Sequence, residues 1–89
     1  MPDYTITFAR SARKELEELD EKLVNRIFQK IEALATNPRP SGCRKLLGNK
    51  HLWRIRVGDY RIVYAVYDDK NLVDIVAIRH RKDGDITGN

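Results

Sequence analysis

Cysteine is almost absent. Cys43 stands alone among 89 residues, so no internal disulfide is available, and this usage fits a reducing cytosol. With only two histidines beside it, the chain lacks the roughly four clustered ligands of a closed zinc site, and neither a metal nor another cofactor is expected. No charged-then-apolar leader opens the sequence, and no apolar run approaches the roughly 20 residues that span a bilayer. A soluble, cytoplasmic protein without membrane contact is therefore expected. A glycine-rich phosphate loop is missing, as are a clustered carboxylate pair and a cysteine or serine nucleophile with a matching histidine and acid. Nucleotide-loop, covalent-hydrolase and paired-carboxylate chemistries are thereby excluded. The length fits one domain, 1–89, burying about 60–65% of its unfolded surface, with 83–89 expected to fray as a tail.

Charge is plentiful, and its placement matters more than its sum. Residues 1–40 hold seven basic and seven acidic side chains. Residues 41–82 hold ten basic and four acidic ones, a local excess of +6, and Asp83 and Asp85 follow. An excess confined to one half is expected for a face that meets nucleic acid or an acidic protein.

That half is organised around Leu52 to Tyr67, LWRIRVGDYRIVYAVY, which reads as two strands joined by a two-residue turn at Gly58-Asp59. The turn sets Val57 opposite Tyr60, Arg56 opposite Arg61, Ile55 opposite Ile62 and Trp53 opposite Tyr64. Alternation then gives Trp53, Ile55, Val57, Tyr60, Ile62 and Tyr64 to a core face, and Arg54, Arg56 and Arg61 to the other. Like charges directly opposite each other destabilise a sheet, and a fold tolerates them when the face meets an anion. The blander alternative is a solvated face whose arginines snorkel apart.

Along the rest of the chain, Tyr4 to Phe8 reads as a first strand. A polar helix begins at Arg10 or Ser11, with Ser11 as its N-cap. Asp20 caps a second helix carrying Leu23, Ile27, Ile31 and Leu34, which Thr36-Asn37-Pro38 ends. The two helices are expected to form a hairpin that the Trp53/Tyr64 face covers. Cys43 to Leu47 is a candidate short strand, and the apolar Leu72 to His80 is a last strand expected to lie centrally or to be covered on both faces. The order is β-α-α-β-β-β: an α+β fold with an antiparallel C-terminal sheet and a helical hairpin on one face.

The register of the last strand stays open. A two- or four-residue loop around Asp68-Asp69-Lys70-Asn71 puts Ile78 opposite Arg61 and His80 on the basic face. A three-residue loop or one bulge puts Arg79 and Arg81 there instead. Asp74 argues for the first option, since it then points away from the core. Of the tyrosines, Tyr60 and Tyr64 fall on the core face, which leaves Tyr67 as the base-stacking candidate.

The element order, the opening YTITFARSARKELEEL, the stretch KLLGNKHLWRIRVGDYRIVYAV and the closing IRHRKD together resemble the RelE/ParE superfamily of toxins from toxin–antitoxin pairs, over essentially the whole chain. The resemblance implies a metal-independent, ribosome-dependent endoribonuclease that cleaves mRNA in the ribosomal A site. It further implies control by a cognate acidic antitoxin, through which the complex binds operator DNA. By position, Arg54 and Arg56 match the paired basic residues of the first hairpin strand, often lysines in RelE-like enzymes. Arg61 matches the phosphate-binding arginine after the turn, and Arg81 the arginine at the end of the last strand. That match favours the register turning Arg81 toward Arg61, against the hint from Asp74.

Two departures bear on mechanism. Arg54 and Arg56 stay protonated where lysines could transfer protons, which favours electrostatic stabilisation. The tyrosine often found near the C-terminus of RelE-like enzymes has no match, with Thr87 nearest to its place. His80, with a reference pKa of about 6.5, is the candidate acid/base. The expected reaction is attack of an RNA 2′-hydroxyl on its adjacent phosphate, with Arg61 and Arg81 holding the phosphate and Arg54 and Arg56 positioning the backbone. Lys45, Lys50, Arg79, Lys82 and Tyr67 are the further RNA contacts expected. Two competing readings are a ParE-like inhibitor of DNA gyrase without nuclease chemistry and an inactive, antitoxin-binding member.

Overall fold

The computed structural model describes residues 3–81. Strand β1 is Thr5–Phe8, helices α1 and α2 are Arg10–Glu17 and Glu21–Thr36, and β2 is Arg44–Lys45. Strands β3 (Leu52–Val57), β4 (Tyr60–Tyr67) and β5 (Leu72–His80) follow, with a 3-10 turn at Asp68–Lys70 between the last two. They form one five-stranded sheet in the order β1-β5-β4-β3-β2. The expected α+β order holds. The sheet is mixed, however, because β1 joins β5 in parallel while every other pair is antiparallel. As expected, β5 is interior, between β1 and β4.

The β3–β4 register follows the alternation, with Arg56 opposite Arg61 and Val57 opposite Tyr60. Gly58 has a φ of +60°, a left-handed value that an L side chain rarely adopts. The helix-side face of the sheet carries Ile55, Val57, Ile62, Tyr64, Val73, Ile75 and Ile78, which pack with Ala12, Leu16, Ile27, Ile31 and Leu34. Asp20 caps α2, its Oδ1 accepting from Leu23 N at 2.9 Å. The helices divide the sheet between them: α1 lies against β5, and α2 against β1 and β3. The cap at α1 differs from expectation. Ala9 is the N-cap, without a side-chain bond, and the Ser11 hydroxyl instead donates to Val76 O at 3.0 Å.

Both readings of the β5 register are realised in turn. From Leu72 to Ile75 the strand follows the four-residue-loop register, with Asp74 opposite Ala65 on the face away from the helices. Thr7, opposite Asp74 in β1, donates its hydroxyl to that carboxylate at 2.7 Å. Between Tyr64–Ile75 and Val63–Ala77 the register shifts, leaving Val76 as an extra residue in β5. An inserted residue exchanges the faces of everything beyond it. Arg79 therefore stands opposite Arg61 and Ile78 opposite Ile62.

Two polar contacts tie the loops to this frame. The wholly buried Tyr64 donates its hydroxyl to Pro38 O at 2.8 Å, and burial pushes its phenol well above its ordinary pKa. At the surface, Asp68 accepts from Arg39 at 2.7 Å and from the Tyr4 hydroxyl at 2.7 Å. Among the described residues no helix is long and apolar enough to cross a membrane.

Tyr64→Phe leaves the buried Pro38 carbonyl without its donor and should cost about 1–3 kcal/mol. The thermal midpoint should then fall by at least about 4 °C, whereas an unchanged midpoint would contradict this role. The bonds from Arg39 and Tyr4 hold the Asp68 pKa below its ordinary 3.8. A depressed folded pKa stabilises above the unfolded value and loses that contribution as pH falls through the folded one. Between about pH 5 and pH 2, the wild-type midpoint should fall more steeply than that of Asp68→Asn, measured in parallel melts.

Candidate nucleic-acid interface

The bulge assembles an arginine row. Arg56 on β3, Arg61 on β4 and Arg79 on β5 stand side by side across three strands, at the roughly 4.8 Å strand spacing of a sheet. Two residues back along β3, on the same face, lies Arg54, and Arg44 on β2 stands directly opposite it. Arg44, Arg54 and Arg56 line an open cleft of about 340 Å³ with Gly42 and Ile55. Arg54, Arg61 and Arg79 are half-buried, and Arg44 and Arg56 exposed. The Nε atoms of Arg54, Arg61 and Arg79 are buried, so these side chains lie packed along the sheet rather than waving free.

The first arginines expected in the site are together here: Arg54, Arg56 and Arg61. Arg79, expected as an RNA contact, occupies the position opposite Arg61 that the resemblance suggested for Arg81. Arg81 lies one residue past β5, at the hairpin turn. Its backbone N–H donates to Asp59 O at 2.8 Å, and its Nε lies 3.8 Å from Asp59 Oδ1.

The structure separates His80 from this row. His80 is opposite Tyr60 on the helix side, its ring edge-on to the tyrosine at 4.9 Å and 88°. It borders a shallow cleft there with Glu15, Glu18 and Leu19. Lys45 is also turned away: its ammonium lies 5.5 Å from the Trp53 ring centroid and donates to Asn49 O. Tyr67 shares the arginines' face, but six residues beyond Arg61, roughly 20 Å along the strand. There it packs against His51, with ring centroids 4.7 Å apart. Lys50 is exposed in the turn before β3. Lys82, Thr87 and the tail 83–89 lie outside the described residues.

Two further residues belong to the site. Arg44 follows from pairing β2 with β3, which requires the register of a two-residue strand. Glu15 on α1 accepts from Arg79 Nη1 and from Ile78 N, a contact across 63 residues without a local signal. Between the arginines and Tyr67 the face turns apolar: Leu46, Leu52, Val63, Val76 and Ala77 cluster beside Leu47, which is 84% exposed. No group of three or more His, Cys, Asp or Glu side chains among the described residues is placed to hold a metal.

Chemically, the row offers several permanently protonated forks that match the paired oxygens of a phosphate. It can hold a phosphodiester and offset charge developing on it. Among the described residues the row consists of arginines alone, with the Glu15 carboxylate at its margin.

Known proteins share this chain's sequence pattern and fold. Residues 6–84 match the family model for the ParE toxin of the type II toxin–antitoxin system parDE. A putative RelE-like toxin protein of Escherichia coli is 31% identical over 86 residues, covering 93% of this chain and 88% of that one. The archaeal RelE–RelB complex from Pyrococcus horikoshii superposes with a TM-score of 0.80 at 26% identity, covering 89% of this chain and 96% of that one. The intact E. coli RelBE toxin–antitoxin complex gives a TM-score of 0.77 at 26% identity, with 86% and 95% covered.

Anion binding by the row should let phosphate raise the thermal midpoint above that in sodium chloride of equal ionic strength, and by more than the general salting-out effect that every variant shares. Arg56→Thr should relieve like-charge repulsion and add a few tenths of a kcal/mol at low salt, while reducing the phosphate effect. Equal midpoints in the two salts would contradict anion binding by the row.

Proposed function

This chain belongs to the ParE toxin family of type II toxin–antitoxin systems, and we propose that it inhibits translation as a ribosome-dependent endoribonuclease. The observation carrying this reading is the row of Arg56, Arg61 and Arg79 beside Arg54 and Arg44. A sheet accepts such repulsion most readily where a phosphodiester offsets it. In the proposed reaction the RNA 2′-oxygen gives its proton to water and bonds to the adjacent phosphorus. The bond from that phosphorus to the 5′-oxygen breaks and the 5′-oxygen takes a proton from water, leaving a 2′,3′-cyclic phosphate and a 5′-hydroxyl, while Arg61 and Arg79 stabilise the charge added in between. Arg44, Arg54 and Arg56 hold the backbone, Arg81 guards the hairpin end of the row, and no metal takes part. The ribosome supplies the mRNA in an ordered conformation.

The partner is an acidic antitoxin. Solved proteins with this fold include RelE–RelB complexes, and this chain offers an apolar patch at Leu46, Leu47, Leu52 and Val63 next to its arginines. A segment with apolar side chains and adjoining carboxylates satisfies both, and the complex reaches operator DNA through that antitoxin.

A second reading, inhibition of DNA gyrase by binding alone, is favoured by one placement. His80, the group best suited to proton transfer, lies on the face opposite the arginines.

Expression without the antitoxin should arrest growth, and Arg61→Ala, melting near the wild type, should relieve it. Loss of one charge-stabilising contact costs about 10²–10³ in rate. A folded Arg61→Ala that still arrests growth would contradict the role of Arg61. Arrest with intact mRNA and relaxed plasmid would establish the gyrase reading instead.

A further inference from the structure

We propose that Glu15 is a positioning residue for the arginine row, fixing both the strand register that brings Arg79 beside Arg61 and the direction in which Arg79 presents its remaining N–H groups. The inference rests on the anion-binding reading of the row, not on RNA cleavage.

Strand β1 pairs with β5 only as far as Ile75. Past that point the edge of β5 is taken over by α1. Ala9 N donates to Ile75 O at 2.8 Å, Ser11 Oγ to Val76 O at 3.0 Å, and Ile78 N to Glu15 Oε1 at 2.9 Å. Ser11 and Glu15 are four apart on the helix, roughly 6 Å along its axis. Val76 and Ile78 are two apart on the strand, roughly 6.7 Å. The helix thus serves as a surrogate strand, meeting the backbone groups on either side of the bulge. Removing the bulge would shift Arg79 to the position opposite Tyr60, on the helix side, and take it out of the row.

Glu15 also accepts from Arg79 Nη1 through its other oxygen. A guanidinium carries five N–H donors in a planar fork, so holding one nitrogen orients the others. The pair is partly sheltered, with side chains 35% and 27% exposed, and the carboxylate offsets part of the repulsion among Arg56, Arg61 and Arg79.

The test uses the protein with inorganic phosphate as the probe, following arginine Nε–H signals by NMR together with amide exchange at Ile78. In the wild type, phosphate should shift the Arg61 and Arg79 signals. Glu15→Ala should speed exchange at Ile78 at least tenfold and weaken phosphate binding about tenfold. In an Arg79→Ala background the same change should cost less than about twofold, because the two act as one unit. Glu15→Gln keeps an acceptor for Ile78 and loses the charge. It should leave exchange at Ile78 slow while still weakening phosphate several-fold, which remains readable if Glu15→Ala fails to fold. Unchanged or tighter phosphate binding in Glu15→Gln would overturn the proposal, as would fully additive losses in the double variant. Because no readout depends on cleavage, a protein that leaves mRNA intact refutes the nuclease reading without touching this result.

Discussion

Val76 is one residue more than β4 can match, and most of what distinguishes the two ends of β5 comes from it. Before the bulge the strand serves the core: Val73 and Ile75 face the helices, and Asp74 on the other side meets Thr7. Beyond it, the exchanged faces keep Ile78 in the core while sending Arg79 to the open face. Without the exchange, Arg79 would face the helix side and Ile78 would interrupt the arginine row. The extra residue is held by α1, whose Ser11 and Glu15 satisfy backbone groups of Val76 and Ile78. Core packing, edge protection and the basic face are thus consequences of one local irregularity.

Repulsion within the row is contained by the way the side chains lie. The Arg54, Arg61 and Arg79 Nε atoms are buried against the sheet, so their aliphatic stems cover apolar surface while the charged tips spread. Glu15 at one margin and Asp59 at the hairpin turn supply nearby negative charge. The free protein consequently holds a surface better suited to a polyanion than to water, and an acidic partner would satisfy the same surface by different chemistry. On the proposed function, RNA and an acidic antitoxin segment would compete for one set of guanidinium groups.

The hairpin was legible residue by residue because its register depends on a two-residue turn and strict alternation, both local. The Asp20 cap and the end of α2 at Thr36 are equally local and equally readable. The parallel docking of β1 on β5 was not, since it joins segments more than sixty residues apart. Nor was the position of the bulge, one of the two alternatives left open, because LVDIVAIRH contains no residue that marks an insertion. Asp74 correctly indicated the register of the first half of the strand, and the match at the strand end correctly required a change before the second. Arg79 rather than Arg81 faces Arg61, and His80 went to the helix side, because the position of the extra residue decides both. Ser11 looked like a cap for lack of any sign of its partner Val76, and nothing local marks Glu15 as the partner of Arg79.

On the proposed function, this face acts on the phosphodiester backbone of mRNA presented by the ribosome. Its most direct test is primer extension on a reporter mRNA in cell-free translation, with and without the purified protein. The proposed function requires cuts at defined codon positions that appear only while ribosomes translate. Intact transcripts in the presence of folded, growth-inhibiting protein would contradict it.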